Sequence, residues 1–265
     1  MISIVIRNKN ESQALESILN ILRKVYLEDI DEIIVVDNNS TDKSVQIAEK
    51  YKCKIITIDN FTYGKAINFG IENAKNDLIL LLSSHAVPVG NSFFKNSVKE
   101  FNANSKLAGM RYINSYSNYI RANNNDFFVH DGLNFGLMAG CAMVNKKIWN
   151  NFKFDENLVF SEDKEWSDRV IKAGYLIKDF NETFFYHIKR DEKNALKRWE
   201  NETTAYYQLR KLKYPSYFKI MGSFIKKTIL ILTIELLRKV HHEIKLFILK
   251  ISIKKKVNKS NSIDS

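Results

Sequence analysis

The sequence predicts one α/β domain over residues 1–215, a mainly parallel mixed sheet with flanking helices, followed by a basic helical tail at 216–265. Three observations carry this. Short runs of Ile, Val and Leu alternate with segments of helical period, the pattern of parallel strands joined by crossover helices. Polar clusters follow these runs, as at the ligand edge of an open parallel sheet. The charge is also divided: residues 1–186 hold 22 Lys and Arg against 23 Asp and Glu, whereas residues 187–265 hold 19 against 7.

Ser3–Ile6, Glu32–Val36, Lys54–Ile58 and Leu78–Leu82 are nearly continuous in Ile, Val or Leu, which predicts strands covered on both faces. Between them, Glu11–Lys24, Thr41–Tyr51 and Tyr63–Ala74 repeat apolar residues every three or four positions and read as helices. Ser40 or Thr41 should cap the second helix, with Asp42 in its first turn. Leu107–Ile113 and Ala139–Val144 read as further strands in more mixed pairing. The stretch 114–136 between them is rich in Asn, Tyr and Phe without a clear period, and so long an irregular segment points to a binding role. Ser161–Gly174 reads as a helix with an acidic first turn and a glycine stop. Arg198-Trp199 reads as the aromatic anchor of a later helix.

Composition narrows the class. At 265 residues, 45% apolar and 27% charged, the chain can bury one substantial core. Cys53 and Cys141 sit in apolar stretches without metal-ligand spacing, which predicts buried reduced thiols in a reducing compartment. Met1–Arg7 lacks a basic leader and a cleavage site and reads as a first strand. A near-neutral body argues against a nucleic-acid partner, whose basic face would include the folded domain. Phe218–Ile253 is apolar but interrupted by Lys226, Lys227, Arg238, Lys239, Lys245 and Lys250, and falls short of the roughly 20 apolar residues a bilayer span requires. It predicts an amphipathic helix pair on an anionic membrane surface, with Lys254, Lys255, Lys256 and Lys259 adding attraction. The predicted location is cytoplasmic, peripheral at the inner face of the cell membrane. A tail packed on the body with a solvated basic end stands as the alternative.

The polar clusters are Arg7-Asn8-Lys9-Asn10-Glu11, Asp37-Asn38-Asn39-Ser40-Thr41-Asp42 and Ser83-Ser84-His85. Capping accounts for Ser40 and Thr41 but not for cationic Arg7 and Lys9 beside a buried strand end.

Four elements in order carry a family likeness: Ser3–Glu11; Ile33-Ile34-Val35-Val36-Asp37-Asn38-Asn39-Ser40-Thr41-Asp42; Tyr63-Gly64-Lys65-Ala66-Ile67-Asn68-Phe69-Gly70; and Phe154-Asp155-Glu156 with Glu162-Asp163-Lys164-Glu165-Trp166. Together they resemble the family 2 glycosyltransferases of the GT-A fold, from Ser3 to about His187. The resemblance implies an inverting enzyme that moves a single sugar from a nucleotide-sugar donor to a glycan or lipid-linked glycan, as in capsule or lipopolysaccharide synthesis. A catalytically inactive nucleotide-binding protein of the same fold is the alternative. Asp163 is implied as the catalytic base. Arg7, Lys9, Asn10, Asp37, Asn38, Lys65, Ser83 and His85 are implied on the donor nucleotide. Glu162, Trp166 and Arg111 fall on the acceptor side. The family's D-x-D motif, which holds a divalent cation such as Mg2+ or Mn2+ on the donor diphosphate, is replaced here by Ser83-Ser84-His85. His85 and His187 are therefore the candidate metal ligands, since imidazole can replace a carboxylate with altered metal preference.

Overall fold

The computed structural model describes residues 1–186, 188 and 191–261. Strand β1 (Ile2–Asn8) lies inside the sheet and pairs in parallel with β2 (Ile30–Asp37) and β4 (Leu78–Ser83). Outside β2 runs parallel β3 (Lys54–Thr57). On the other side, β7 (Cys141–Asn145) is antiparallel to β4 and to β6 (Leu107–Tyr112), and β8 (Leu176–Phe180) closes the sheet parallel to β6. The order is β3-β2-β1-β4-β7-β6-β8. The α/β class, the parallel first half and the mixed second half agree with the sequence reading.

Side-chain alternation along β1 explains the two layers. Ile4 and Ile6 face Leu15, Ile18, Leu19 and Leu22 of α1 (Ser12–Val25), and Phe93 and Phe94 of α4 (Phe93–Ala103) join that cluster. Val5 faces the opposite way, with Ile67 and Ile71 of α3 (Tyr63–Glu72) and Trp166 and Val170 of α8 (Glu162–Lys172). Gly64 is required where α3 starts, because a Cβ there would sit 2.2 Å from the Asp155 carbonyl oxygen. Asn68, also on α3, is buried and fully used. Its amide donates to the Phe154 carbonyl and to Glu156, both at 2.9 Å, and its oxygen accepts from Phe154 N–H and the Trp149 indole, both at 3.0 Å. The Phe154-Asp155-Glu156 segment is thus fastened to the helix that carries Tyr63-Gly64-Lys65.

Two predicted boundaries moved for local reasons. Helix α2 runs over Ser44–Lys50, not from Thr41, because Ser40 is spent elsewhere: its hydroxyl donates to Asp37 at 2.6 Å and accepts from Asn10 N–H at 2.9 Å. The strand expected from Ala139 begins at Cys141, since both backbone groups of Ala139 bond side chains. The irregular stretch 114–136 contains two short helices, α5 (Tyr116–Asn123) and α6 (Gly132–Phe135). A two-stranded antiparallel sheet, β5 (Ala86–Pro88) with β9 (Phe184–Tyr186), and helix α7 (Lys146–Trp149) complete the elements up to residue 186. Both cysteines are free. Burial alone raises the Cys141 thiol, and burial as the main cause pushes Cys53 up to about 11.

The chain divides into two compact units, Met1–Lys211 and Leu212–Ser265. The first ends with α9 (Glu192–Leu209). The second is helical: α10 (Tyr217–Ile225), six residues of wider π-type winding (Lys226–Ile231), and α11 (Leu232–Asn261). No helix among the described residues is long and apolar enough to cross a membrane.

Candidate active site

The parallel strands end on one edge, and the antiparallel β7 begins there. Ser83 N–H donates to the Gly140 carbonyl at 2.8 Å, and the neighbouring Ala139 N–H donates to Asp163 Oδ2 at 2.9 Å. The Ala139-Gly140 corner therefore links the end of β4, with His85 two residues on, to the start of α8.

Asp163 also accepts from Lys164 N–H through Oδ1 at 2.8 Å, so two backbone donors fix the plane of its carboxylate. Each oxygen keeps a further lone pair. Beside it, Arg7 reaches from the end of β1, donating to Glu162 at 3.3 Å and to the Ala139 carbonyl at 3.1 Å. Its guanidinium lies 5.2 Å over the Tyr63 ring, which meets Phe160 edge-on at 5.8 Å, and Arg198 covers Phe160 at 5.7 Å. Two carboxylates thus adjoin. Glu162 is 5% exposed, and its pKa is pushed up to about 7, first by burial and then by the charge of Asp163, with Arg7 opposing both. Asp163 is only half-buried and reaches solvent. Accessibility therefore separates them: a proton acceptor must touch its substrate, and Asp163 can do so where Glu162 is covered.

The acceptor-side assignments need correction. Glu162 (5% exposed), Trp166 (0%) and Arg111 (6%) are all buried, so none presents a surface to a glycan as the chain stands. Trp166 stacks on Phe154 with ring centres 5.0 Å apart and donates to the Phe152 carbonyl. Arg111 donates to the Phe135 carbonyl and to Asn118, both at 3.0 Å, while Arg121 bonds buried Asp179 at 2.6 Å. Lys164 donates to the carbonyls of Gly136 and Leu137 at 2.7 and 2.9 Å, and burial pulls its pKa down to about 8. These residues build the wall that carries Ala139. Gly132 lets that wall close, since a Cβ would lie 2.4 Å from Asp168 N.

On the donor side, buried Asp37 accepts from Ser40 N–H (2.8 Å), the Ser40 hydroxyl (2.6 Å) and the Asn8 amide (3.1 Å). Asn10 Oδ1 accepts from Thr41 N–H at 2.7 Å. Asp37 and Asn10 therefore shape the loop between them, with Asn38 half-buried and Lys9 exposed on its rim. Lys65 is spent on the Asp59 carbonyl at 2.9 Å. Ser83 Oγ accepts from His85 N–H at 3.3 Å. His85 Nε2 is buried without a hydrogen bond and lies 3.4 Å from Glu11 Oε2, within ion-pair reach but outside hydrogen-bond geometry. His187 lies outside the described residues. Among the described residues no group of three or more His, Cys, Asp or Glu could hold a metal. Glu11 and His85 fit a cation as a pair, with an unsatisfied imidazole nitrogen beside a carboxylate, the remaining positions being left to phosphate oxygens and water.

Sequence reasoning missed Glu11 as the partner of His85, the Ala139 N–H, and the Tyr63–Phe160 rim. A glutamate after a strand was visible; backbone donors and aromatic neighbours a hundred residues apart leave no local signal.

The mixed sheet, with a fixed carboxylate, an arginine and an imidazole gathered at one edge, has the α/β fold of solved glycosyltransferase structures, which superpose on it. A mannosyltransferase from Pyrobaculum calidifontis, in complex with GDP-Man and Mn2+, matches with a TM-score of 0.63 at 14% identity, over 81% of this chain and 65% of that one, so the chain spans about two thirds of its length. Glucosyl-3-phosphoglycerate synthase from Mycobacterium tuberculosis, with Mn2+, UDP and glucosyl-3-phosphoglycerate, matches with a TM-score of 0.59 at 14% identity, over 82% and 81%. In sequence, the chain is 24% identical over 253 residues to a Methanococcus voltae dolichyl N-acetyl-α-D-glucosaminyl phosphate 3-β-D-2,3-diacetamido-2,3-dideoxy-β-D-glucuronosyltransferase, covering 84% of this chain and 77% of the relative. The model of glycosyl transferase family 2 matches residues 3–170, and the chain belongs to that family.

Proposed function

We propose that the chain transfers one sugar from a nucleotide-sugar donor to a hydroxyl of a glycan or lipid-linked glycan, in the synthesis of a capsule, lipopolysaccharide or similar surface polysaccharide, with inversion at the anomeric carbon. The observation that carries this reading is Asp163, accessible and held by two backbone N–H groups beside Arg7 at the strand ends. In the reaction, the acceptor hydroxyl gives its proton to Asp163 as its oxygen bonds the anomeric carbon. The bond from that carbon to the diphosphate oxygen breaks on the opposite face, and the electron pair leaves with the diphosphate. A positioned base of this kind supplies about 10²–10⁴ in rate.

The departing diphosphate gathers negative charge, which in this reading Arg7, Lys9 and His85 meet. A Mg2+ or Mn2+ ion held by Glu11 and His85 would neutralise more of that charge. The Asp37–Asp42 loop, stiffened by Asn8, Asn10 and Ser40, is assigned to the nucleoside, with Asn38 free to read it. The aromatic rim of Tyr63 and Phe160 suits stacking of a sugar ring on the acceptor side.

The test is stereochemical. Proton NMR of the first product formed from an α-linked nucleotide sugar should show a β-glycosidic bond. An α-linked product would overturn the single-displacement reading.

A further inference from the structure

The second unit buries no side chain of α10 or of the π-type turn after it, and on α11 Leu237, Val240, Ile244, Phe247 and Ile251 recur at three- and four-residue spacing, each at least 42% exposed. Arg238, Lys239, Lys245 and Lys256 project from the other side of that helix. Residues 212–265 hold 12 Lys and Arg against 3 Asp and Glu. Apolar surface of this extent is rare on a free soluble monomer and marks an interaction face. The excess of cations points to an anionic partner, and the ring of long lysines around apolar side chains is the arrangement that lets heads stay in water while stems enter lipid.

Helix α9, within the first unit, repeats the pattern. Its buried side is Ala205, while Leu196, Trp199 and Tyr206 line the outer side and Arg210 lies 4.1 Å over the Tyr206 ring. Trp199, read from sequence as the aromatic anchor of a helix, is 61% exposed. Exposed Trp and Tyr with basic neighbours match the composition of the membrane–water boundary.

We propose that the helical unit 212–261 and, separately, the outer face of α9 each bind an anionic lipid bilayer, lying in the interface without crossing it. These helices hold none of the catalytic groups, so lipid binding is independent of sugar transfer and is measured without turnover. Electrostatic attraction near an anionic surface is worth about 1 kcal/mol per Lys or Arg and fades with salt.

The chain reports on itself, because Trp149 and Trp166 are 1% and 0% exposed and Trp199 alone faces solvent. Full-length protein would be mixed with vesicles of phosphatidylcholine containing 30% phosphatidylglycerol, and with phosphatidylcholine alone, and followed by co-sedimentation and tryptophan emission. The expected result is sedimentation with the anionic vesicles only, a blue shift of emission, and quenching by brominated lipid, all lost in 1 M salt. Lys254→Gln/Lys255→Gln/Lys256→Gln should lower partitioning by about one to two orders of magnitude, and Phe247→Glu should lower it as well, with far-UV circular dichroism unchanged in both. Sedimentation with an unmoved Trp199 emission would overturn the placement of α9. Failure to sediment with either vesicle, equal binding to both, or a lipid-independent dimer that shifts Trp199 would overturn the proposal.

Discussion

Replacing Glu162 with glutamine tests the electrostatics of the site without touching its accessible base. Glu162 titrates at about 7 in the fold and near 4.5 as a free side chain, so the folded chain holds this proton more tightly than the unfolded one. Its stabilising contribution is then complete below pH 4.5 and is lost as pH rises through 7. For those two values, about 2 kcal/mol disappears between pH 5.5 and pH 8. Glutamine keeps the shape and can still meet Arg7, but it does not titrate. Urea unfolding of both proteins at the two pH values should therefore show the stability of wild type, taken relative to Glu162→Gln, falling by about 2 kcal/mol on going to pH 8. The sign decides which effect wins. If the Arg7 pair outweighed burial and the Asp163 charge, the difference would move the other way, and parallel profiles would mean that Glu162 is not held in a low-dielectric site at all.

Further outcomes follow from the packing and the loops. Gly64→Ala forces a Cβ within 2.2 Å of the Asp155 carbonyl oxygen and should cost about 2–3 kcal/mol in urea unfolding, through displacement of the segment ahead of α8. Asn68→Leu strands the Phe154 backbone groups, the Glu156 side chain and the Trp149 indole, for a loss of about 3 kcal/mol by the same measurement. Glu11→Ala and His85→Ala should each weaken Mn2+ binding in the presence of a nucleoside diphosphate, read by calorimetry, with unchanged thermal stability in the ligand-free protein. Asp37→Ala should raise KM for the donor more than it lowers kcat, because it loosens the Ser40 turn that shapes the nucleoside loop.

The sheet and its ligand edge were legible in the sequence because both leave local marks. Ile33–Val36 and Leu78–Leu82 read as strands buried on two faces, and the polar residues that follow such strands converge by topology. The glycine in Tyr63-Gly64-Lys65 was visible as a residue, but its reason, the backbone of Asp155 lying against it, belongs to packing between segments ninety positions apart. The acceptor side was misjudged for a related cause. Glu162, Trp166 and Arg111 are polar or amphipathic residues beside the catalytic motif, and sequence alone cannot tell a side chain facing a cleft from one that holds its wall. Ala139 shows the limit most plainly: an apolar residue in a strand-like run supplies the N–H that fixes Asp163, and backbone donors have no letter in a sequence. The helix boundary at Ser44 shifted because Asp37 and Asn10 both engage the Ser40 hydroxyl, one as acceptor and one as donor, from two different strand ends.

The proposed reaction turns on the proton that leaves the acceptor. Initial rates of sugar transfer from the nucleotide-sugar donor, measured for wild type and Asp163→Asn alongside donor affinity by calorimetry, test it most directly. Asparagine keeps one oxygen, which can accept from one of the two backbone N–H groups, and cannot take a proton, so kcat should fall by about 10²–10⁴ while donor affinity holds. A variant that transfers sugar at the wild-type rate would contradict the assignment and return the choice of base to the covered carboxyl of Glu162.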